Sequence, residues 1–245
     1  MLPLKVLTYN IRHGKGLDGR ISLERVAGVI ADAGADLVAL QEVDGHSPRS
    51  GFRNQAVTLG RRLGMKPFFG ATIKAVGVPV YGNAILSRLP VRECNNWDLP
   101  GKGEPRGLKE VVAAADGAQF SFLTTHLGLS IEARRVQIAK IIEVLSGTPR
   151  PFILTGDFNC LPDAAELVPL SVLARDAAAE GAEPLFTYPA DEPRARIDFV
   201  FLSPHWTLRE VGVLEKSAAS DHLPVFAVVE QAVAPVAGEN NRAGG

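Results

Sequence analysis

Carboxylates, amides and imidazoles recur at similar places along this sequence: Asn10 after VLTY, Glu42 after LVALQ and His126 after FLTT. Asp157 and Asn159 follow FILTG, Asp198 sits between Ile197 and Phe199, and Asp221 and His222 precede LPVFAVV. These residue types can hold a hard cation, take a proton from water and donate to a developing negative charge. A buried carboxylate in an apolar run is costly unless it is paired or bound to metal. Strand ends and their loops can bring such residues together at one sheet edge. Taken singly, each has an ordinary structural reading. Asn10 reads as a turn residue, Glu42 as an exposed strand end and His126 as a hydrogen-bonded structural histidine. GDFN at 156–159 reads as a turn, Asp198 as an ion-pair partner of Arg196, and SDH at 220–222 as a helix cap or loop.

The elements that must position them alternate in type. Segments 4–10 and 36–43 read as strands. Between them Ser22 can cap a helix with Leu23, Val26, Ala27 and Ile30 on one face, stopped at Gly34. A second helix is expected at 54–63, ending at Gly64. Strands are expected at 68–73, 81–87, 91–99, 108–115 and 119–125. Segment 131–145 reads as the clearest helix, with Ile131, Val136, Ile142 and Leu145 at helical intervals and Arg134 and Arg135 in solvent. Strands at 152–155, 197–202, 208–213 and 225–229 complete the series, and Trp97 and Trp206 read as core. The pattern is mixed α/β, without a fixed-period repeat. Residues 1–231 are expected to form a single domain. Residues 232–245 lose the apolar pattern and read as a frayed tail.

Composition narrows the class. The chain has 245 residues, 46% hydrophobic and 22% charged, an ordinary globular balance. Its two cysteines, Cys94 and Cys160, provide neither a disulfide framework nor a zinc-type CxxC spacing. The start shows no signal-peptide pattern and no apolar run reaches membrane-span length, so a cytoplasmic location is expected. With 26 basic and 27 acidic residues the net charge is −1, which leans away from a non-specific nucleic-acid binder.

The ordered set YNIRHG (9–14), LQEVD (40–44), TTHLG (124–128), TGDFN (155–159), RIDFVF (196–201) and SDHLPV (220–225) resembles the endonuclease/exonuclease/phosphatase superfamily. GDFN and SDHLPV in this order carry most of the signal; YN and TH add weight through their order. The resemblance implies a four-layer α/β sandwich, two mixed β-sheets packed face to face with helices outside. It also implies a Mg²⁺-dependent phosphoesterase, with Mn²⁺ as a substitute, that uses activated water. In that scheme Glu42 is the main metal ligand, Asn10 supports the metal or the phosphate, and Asp221 is a second or outer ligand. Asp157 holds and deprotonates the attacking water, and Asn159 orients that water or donates to a phosphate oxygen. His222 donates to the phosphate oxygens and Asp198 holds it in place. His126 touches the phosphate or aids the leaving group. Tyr81 in YGNAILSR resembles a recurring superfamily tyrosine and reads equally as a substrate contact or as a core or edge residue, and Arg106 reads as a phosphate-binding or a surface arginine. Arg12 and His13 can line the pocket.

Histidine at position 126 is similar to the branch holding deoxyribonuclease I, neutral sphingomyelinases, inositol polyphosphate phosphatases and deadenylases. The exonuclease III branch places tyrosine there. NIRHGKGLDGR resembles small bacterial members, some sphingomyelinase-like. A small or lipid-derived phosphoester is therefore the expected substrate, with a nuclease acting on DNA or RNA as the alternative. A catalytically dead binding module is a third reading, which the intact Glu42, Asp157, Asn159, Asp198 and His222 disfavour.

Overall fold

The computed structural model describes residues 2–180, 184–215 and 217–231; the tail expected at 232–245 lies outside the described residues. Among the described residues, twelve strands form two six-stranded sheets. The first contains β1 (Leu4–Asn10), β2 (Leu37–Asp44), β3 (Lys66–Ala75), β4 (Val78–Ser87), β11 (Trp206–Val213) and β12 (Val225–Gln231), in the order β11-β12-β1-β2-β4-β3. The second contains β5 (Val91–Leu99), β6 (Arg106–Ala115), β7 (Ala118–His126), β8 (Phe152–Asp157), β9 (Arg175–Asp176) and β10 (Asp198–Leu202), in the order β5-β6-β7-β8-β10-β9. Each sheet is mixed, with one parallel pair, β1 beside β2 and β7 beside β8. No helix among the described residues is long and apolar enough to cross a membrane.

Side chains alternate between the two faces of a strand, and this period sorts the core into three layers. Val6, Leu37, Ala39 and Ile85 meet Val111, Phe122, Ile153 and Val200 between the sheets. Leu7, Val38 and Leu40 face outward onto α1 (Leu23–Ala33) and α2 (Gln55–Leu63). Leu123, Leu154 and Phe199 face α3 (Ile131–Ser146) on the far side. Helix, sheet, sheet and helix make the four-layer α/β sandwich that the family resemblance implies.

Local chemistry sets the helix ends. Ser22 accepts from the backbone N–H of Arg25, and Asn54 from that of Val57. Gly34 and Gly64 end α1 and α2 in the left-handed region, where glycine pays no Cβ penalty. The β7–β8 pair depends on Gly156, whose φ is 144°. A Cβ there would lie 2.1 Å from the Thr125 carbonyl oxygen, so the glycine of GDFN lets the strand bearing Asp157 lie against the one bearing His126.

The structure corrects the expected face of α3. Ile131 and Val136 are exposed, and the buried positions are Ala133, Arg134, Gln137, Ile138, Ile141 and Leu145. Apolar spacing misled because two polar residues belong to the buried face. Arg134, expected in solvent, is buried and donates through Nε to Glu166 Oε1 at 2.6 Å, while Arg135 is exposed. Gln137 accepts from the backbone N–H of Gly128 at 2.8 Å. The Asp198–Arg196 pair is also absent. Arg196 makes two bonds to Asp176, at 3.1 and 2.6 Å. Trp206 is buried, and Trp97 is half-buried.

Candidate active site

The alternation that builds the core also delivers most of the polar set. Asn10 shares the inter-sheet face of Val6 and Thr8, His126 that of Phe122 and Thr124, and Asp157 that of Ile153 and Thr155. Asp198 shares the face of Val200 and Leu202. Gln41 ties the sheets together beneath them, donating to Thr8 Oγ1 at 3.0 Å and Thr124 Oγ1 at 2.8 Å.

Glu42 breaks the rule. Strict alternation would put it with Val38 and Leu40, facing the helices. Instead the β2–β4 register shifts between Leu40 and Val43, and Glu42 takes φ 57°. A bulge of this kind re-aims a side chain, and left-handed backbone at a non-glycine residue is stored strain of the sort found at functional sites. Glu42 is thereby brought against Asn10.

Asn10 is the hinge between two carboxylates. Its Nδ2 donates to Glu42 Oε1 at 3.2 Å and to Asp157 Oδ2 at 3.0 Å, while its Oδ1 accepts from the Arg12 backbone N–H at 3.0 Å. Ser220 Oγ donates to the Asn10 carbonyl at 2.7 Å, which pins the SDH loop to β1. Asp157 Oδ1 accepts from the Asn159 N–H at 3.0 Å. Asn159, at φ 51°, donates its side-chain amide to the Leu127 carbonyl at 2.9 Å.

Two imidazoles face Asp157 Oδ2, His126 Nε2 at 3.4 Å and His222 Nε2 at 3.7 Å. Their tautomers follow from their other partners. Asp198 Oδ2 lies 2.9 Å from His222 Nδ1, and a carboxylate accepts, so that nitrogen carries a proton. Arg106 Nη1 lies 3.0 Å from His126 Nδ1, and a guanidinium only donates, so the His126 proton is on Nε2. Their charges diverge accordingly. Burial lowers the His222 pKa, but the Asp198 charge and hydrogen bond, with Asp157 and Asp221, outweigh it and carry it to about 10. Burial drives His126 down to about 4 against the pull of Asp157, with Arg106 adding to the fall. At neutral pH one imidazole is a cation and the other a neutral donor.

All the predicted residues except Asn10, Asp198 and Arg12 line one cavity of about 710 Å³; Asn10 and Asp198 are buried, and Arg12, expected at the pocket wall, pairs with Asp221 instead. Asp221 is held by Arg12 Nε at 3.2 Å. Arg106 is only slightly exposed and pairs with Glu104 at 2.8 Å. Burial, with Glu42 and Glu104 nearby, raises the Tyr81 phenol pKa and keeps it neutral. His13 lines the cavity, its pKa lowered by burial and by Arg49.

The structure adds residues that the sequence reading missed. Tyr188 lies beside His222, ring centroids 4.9 Å apart, and no motif marked it. Arg49 grips the buried Asp44 carboxylate with bonds of 3.1, 3.0 and 2.7 Å and lies over the Tyr81 ring. Asp44 was visible in LQEVD, but its partner in the following loop was not.

The donor set fits a hard cation. Burial raises the Glu42 pKa; the Asn10 amide opposes this, and Asp157 and Asp221 add to it. A divalent ion is the group that would restore the charged form. Donor atoms of Asp157, Asp198 and His222 lie within 4.8 Å of one another. Within that cluster Asp198 already engages His222 Nδ1, and a protonated imidazole is no ligand.

A sandwich of two mixed sheets carrying this constellation at one end is the deoxyribonuclease I-like class of phosphoester hydrolases. A sequence model of the Endonuclease/Exonuclease/phosphatase family matches residues 7–222, and the chain belongs to that family. Enzymes of the family usually depend on a divalent metal. The chain is 29% identical to the uncharacterized protein YbhP of Escherichia coli K12 over 215 residues, 81% of this chain and 84% of that one. An endonuclease/exonuclease/phosphatase from Beutenbergia cavernae has the same fold at TM-score 0.76 and 24% identity, over 96% of this chain and 73% of that one. So does a mannosyl-6-phosphatase from Bacteroides thetaiotaomicron, at 0.75 and 22%, over 93% and 99%.

Proposed function

We propose that this protein is a Mg²⁺-dependent phosphoesterase that cleaves a small or lipid-derived phosphoester by attack of water. The observation that carries this reading is the Asn10 amide, shared between Glu42 and Asp157 with His222 facing the same Asp157 oxygen. Glu42 would hold Mg²⁺ with Asp221 as an outer ligand, and Mn²⁺ would substitute. When bound, the ion supplies Lewis-acid polarisation of a phosphoryl oxygen.

The chain's own residues divide the remaining work. Asp157, oriented by Asn10 and the Asn159 N–H, accepts the proton of the attacking water as its oxygen bonds to phosphorus. The Oδ1 of Asn159 receives a hydrogen bond from that water. Protonated His222, fixed by Asp198, donates from Nε2 to a non-bridging oxygen as charge builds there. Neutral His126 donates from Nε2 to the phosphate. With a pKa near 4 it acts as a hydrogen-bond donor and not as the acid for the leaving group. Tyr81 and Arg106 contact the substrate from the cavity wall.

Charge in the cavity supports the substrate class. Glu42, Asp44, Glu104, Asp157 and Asp221 outnumber the guanidiniums Arg49 and Arg106, and both of these are already paired. A polyanion finds no free basic groove there, whereas a compact ester needs none. Ile73, Val80, Leu129 and Tyr188 add an apolar wall suited to an acyl or ring substituent. The second reading is a nuclease. Tyr188, exposed beside the site, favours it by offering a face on which a base could stack.

The test is a hydrolysis panel with Mg²⁺ and an Asp157→Ala control. It contains bis-p-nitrophenyl phosphate, plasmid and abasic DNA, single-stranded RNA, sphingomyelin, glycerophospholipids, inositol phosphates and a hexose 6-phosphate. Cleavage of a lipid or small ester with nucleic acids untouched is the expected result. Fastest cleavage of DNA or RNA would replace it with the nuclease reading.

A further inference from the structure

Lys109 is a buried amine that the hydrolytic scheme leaves unused. It lies in β6 at 2% exposure, on the face shared with Val111 between the sheets. Burying lysine is costly unless it is paired, yet among the described residues no carboxylate pairs with it. Its Nζ makes one hydrogen bond, donated to Cys94 Sγ at 2.7 Å. The register explains the meeting. Asn96 of β5 stands opposite Lys109, and Cys94 opposite Val111, so thiol and amine are diagonal neighbours on one face.

The pocket for this pair is built. A Cβ at Gly70 of β3 would come within 2.6 Å of Asn96 Oδ1 and 2.9 Å of Lys109 Cδ, so the absence of a side chain there makes room for the lysine stem. The two groups also differ in access. Cys94 is a free, exposed thiol, open to a small oxidant, while the amine is closed in behind it. A single oxygen atom with ordinary N–O and S–O bonds spans a gap of 2.7 Å, so neither strand has to move.

We propose that Cys94 and Lys109 are an oxidative modification site, joined by peroxide through a covalent Sγ–O–Nζ bridge. The S–H bond and one N–H bond break, and one S–O and one N–O bond form. Thiol, amine and two hydrogen peroxide molecules give the bridge and three waters, the peroxides taking up the four electrons released. The closed ring contains Glu104 and Arg106, which line the cavity, so the oxidation state of one exposed cysteine ties down a stretch of the cavity wall. This inference is independent of the phosphoesterase reading.

The experiment is mass spectrometry of the full chain after peroxide treatment and proteolysis. The expected product is a peptide pair joined at Cys94 and Lys109, about 14 Da heavier than its reduced components. It should disappear on thiol reduction and be missing from Cys94→Ser and Lys109→Arg. The serine control stands even if the arginine variant folds poorly, because position 94 is exposed. Recovery of Cys94 as unmodified thiol, as sulfinic or sulfonic acid with Lys109 free, or as a direct S–N link lacking the oxygen, would overturn the proposal.

Discussion

His222 Nδ1 lies 2.9 Å from Asp198 Oδ2, and that contact sets both the tautomer and the charge of the imidazole. It leaves the Nε2 proton directed toward Asp157 Oδ2, 3.7 Å away. Asp198→Asn keeps the shape and removes the charge that raises the His222 pKa to about 10. Turnover should fall roughly 10²–10⁴-fold, the usual worth of a positioned proton donor. The alkaline limb of the kcat profile should also move down toward the ordinary histidine range. An alkaline limb unchanged in the variant would separate His222 from the reaction.

The two histidines give opposite stability slopes. The folded pKa of His126 is depressed from 6.5 to about 4, so its contribution is complete above 6.5 and is lost as pH falls toward 4. That of His222 is raised from 6.5 to about 10, so its contribution is complete below 6.5 and is lost as pH rises toward 10. Melting temperature against pH should show both limbs. His126→Gln should flatten the acid one, and a variant with the same acid limb as the parent would show that other groups produce it.

Chelation should stop turnover, and added Mg²⁺ or Mn²⁺ should restore it; activity that survives thorough chelation would remove the metal from the scheme. Glu42→Gln supplies a second readout. Without metal it should melt higher than the parent, because it removes a buried carboxylate whose charged form burial disfavours. With Mg²⁺ it should lose the thermal shift that binding gives the parent, about 2.7 kcal/mol at a hundredfold excess over Kd. An undiminished Mg²⁺ shift in the variant would place the ion elsewhere.

The Arg134–Glu166 pair is buried on both sides, with side-chain exposures of 9% and 4%. Removing one partner strands the other, so Arg134→Met should cost about 3–5 kcal/mol in denaturant unfolding. The double variant Arg134→Met with Glu166→Met should recover most of that loss. If the double variant is as unstable as the single one, packing of the guanidinium stem dominates and the charge does not.

Much of the site was legible because strand alternation has a period of two. Once 4–10, 119–125, 152–155 and 197–202 are strands with an apolar inter-sheet face, Asn10, His126, Asp157 and Asp198 are carried to that face at or just beyond their ends. Local signals, such as the cap at Ser22, gave a mixed α/β series, while the four-layer fold class came from the family resemblance of the ordered motifs. The pairing of His222 with Asp198 was implied by motif order alone.

Tertiary structure decided what periodicity cannot encode. Strict alternation sends Glu42 to the helices; only the bulge against β4 and a positive φ turn it to Asn10, and both depend on a neighbour distant in sequence. The buried face of α3 was hidden for a related reason, since Arg134 and Gln137 are buried through partners on other segments. The different charge states of His126 and His222 also lie beyond the sequence. Both are histidines facing one carboxylate oxygen, and what separates them is that one has an aspartate behind it and the other an arginine.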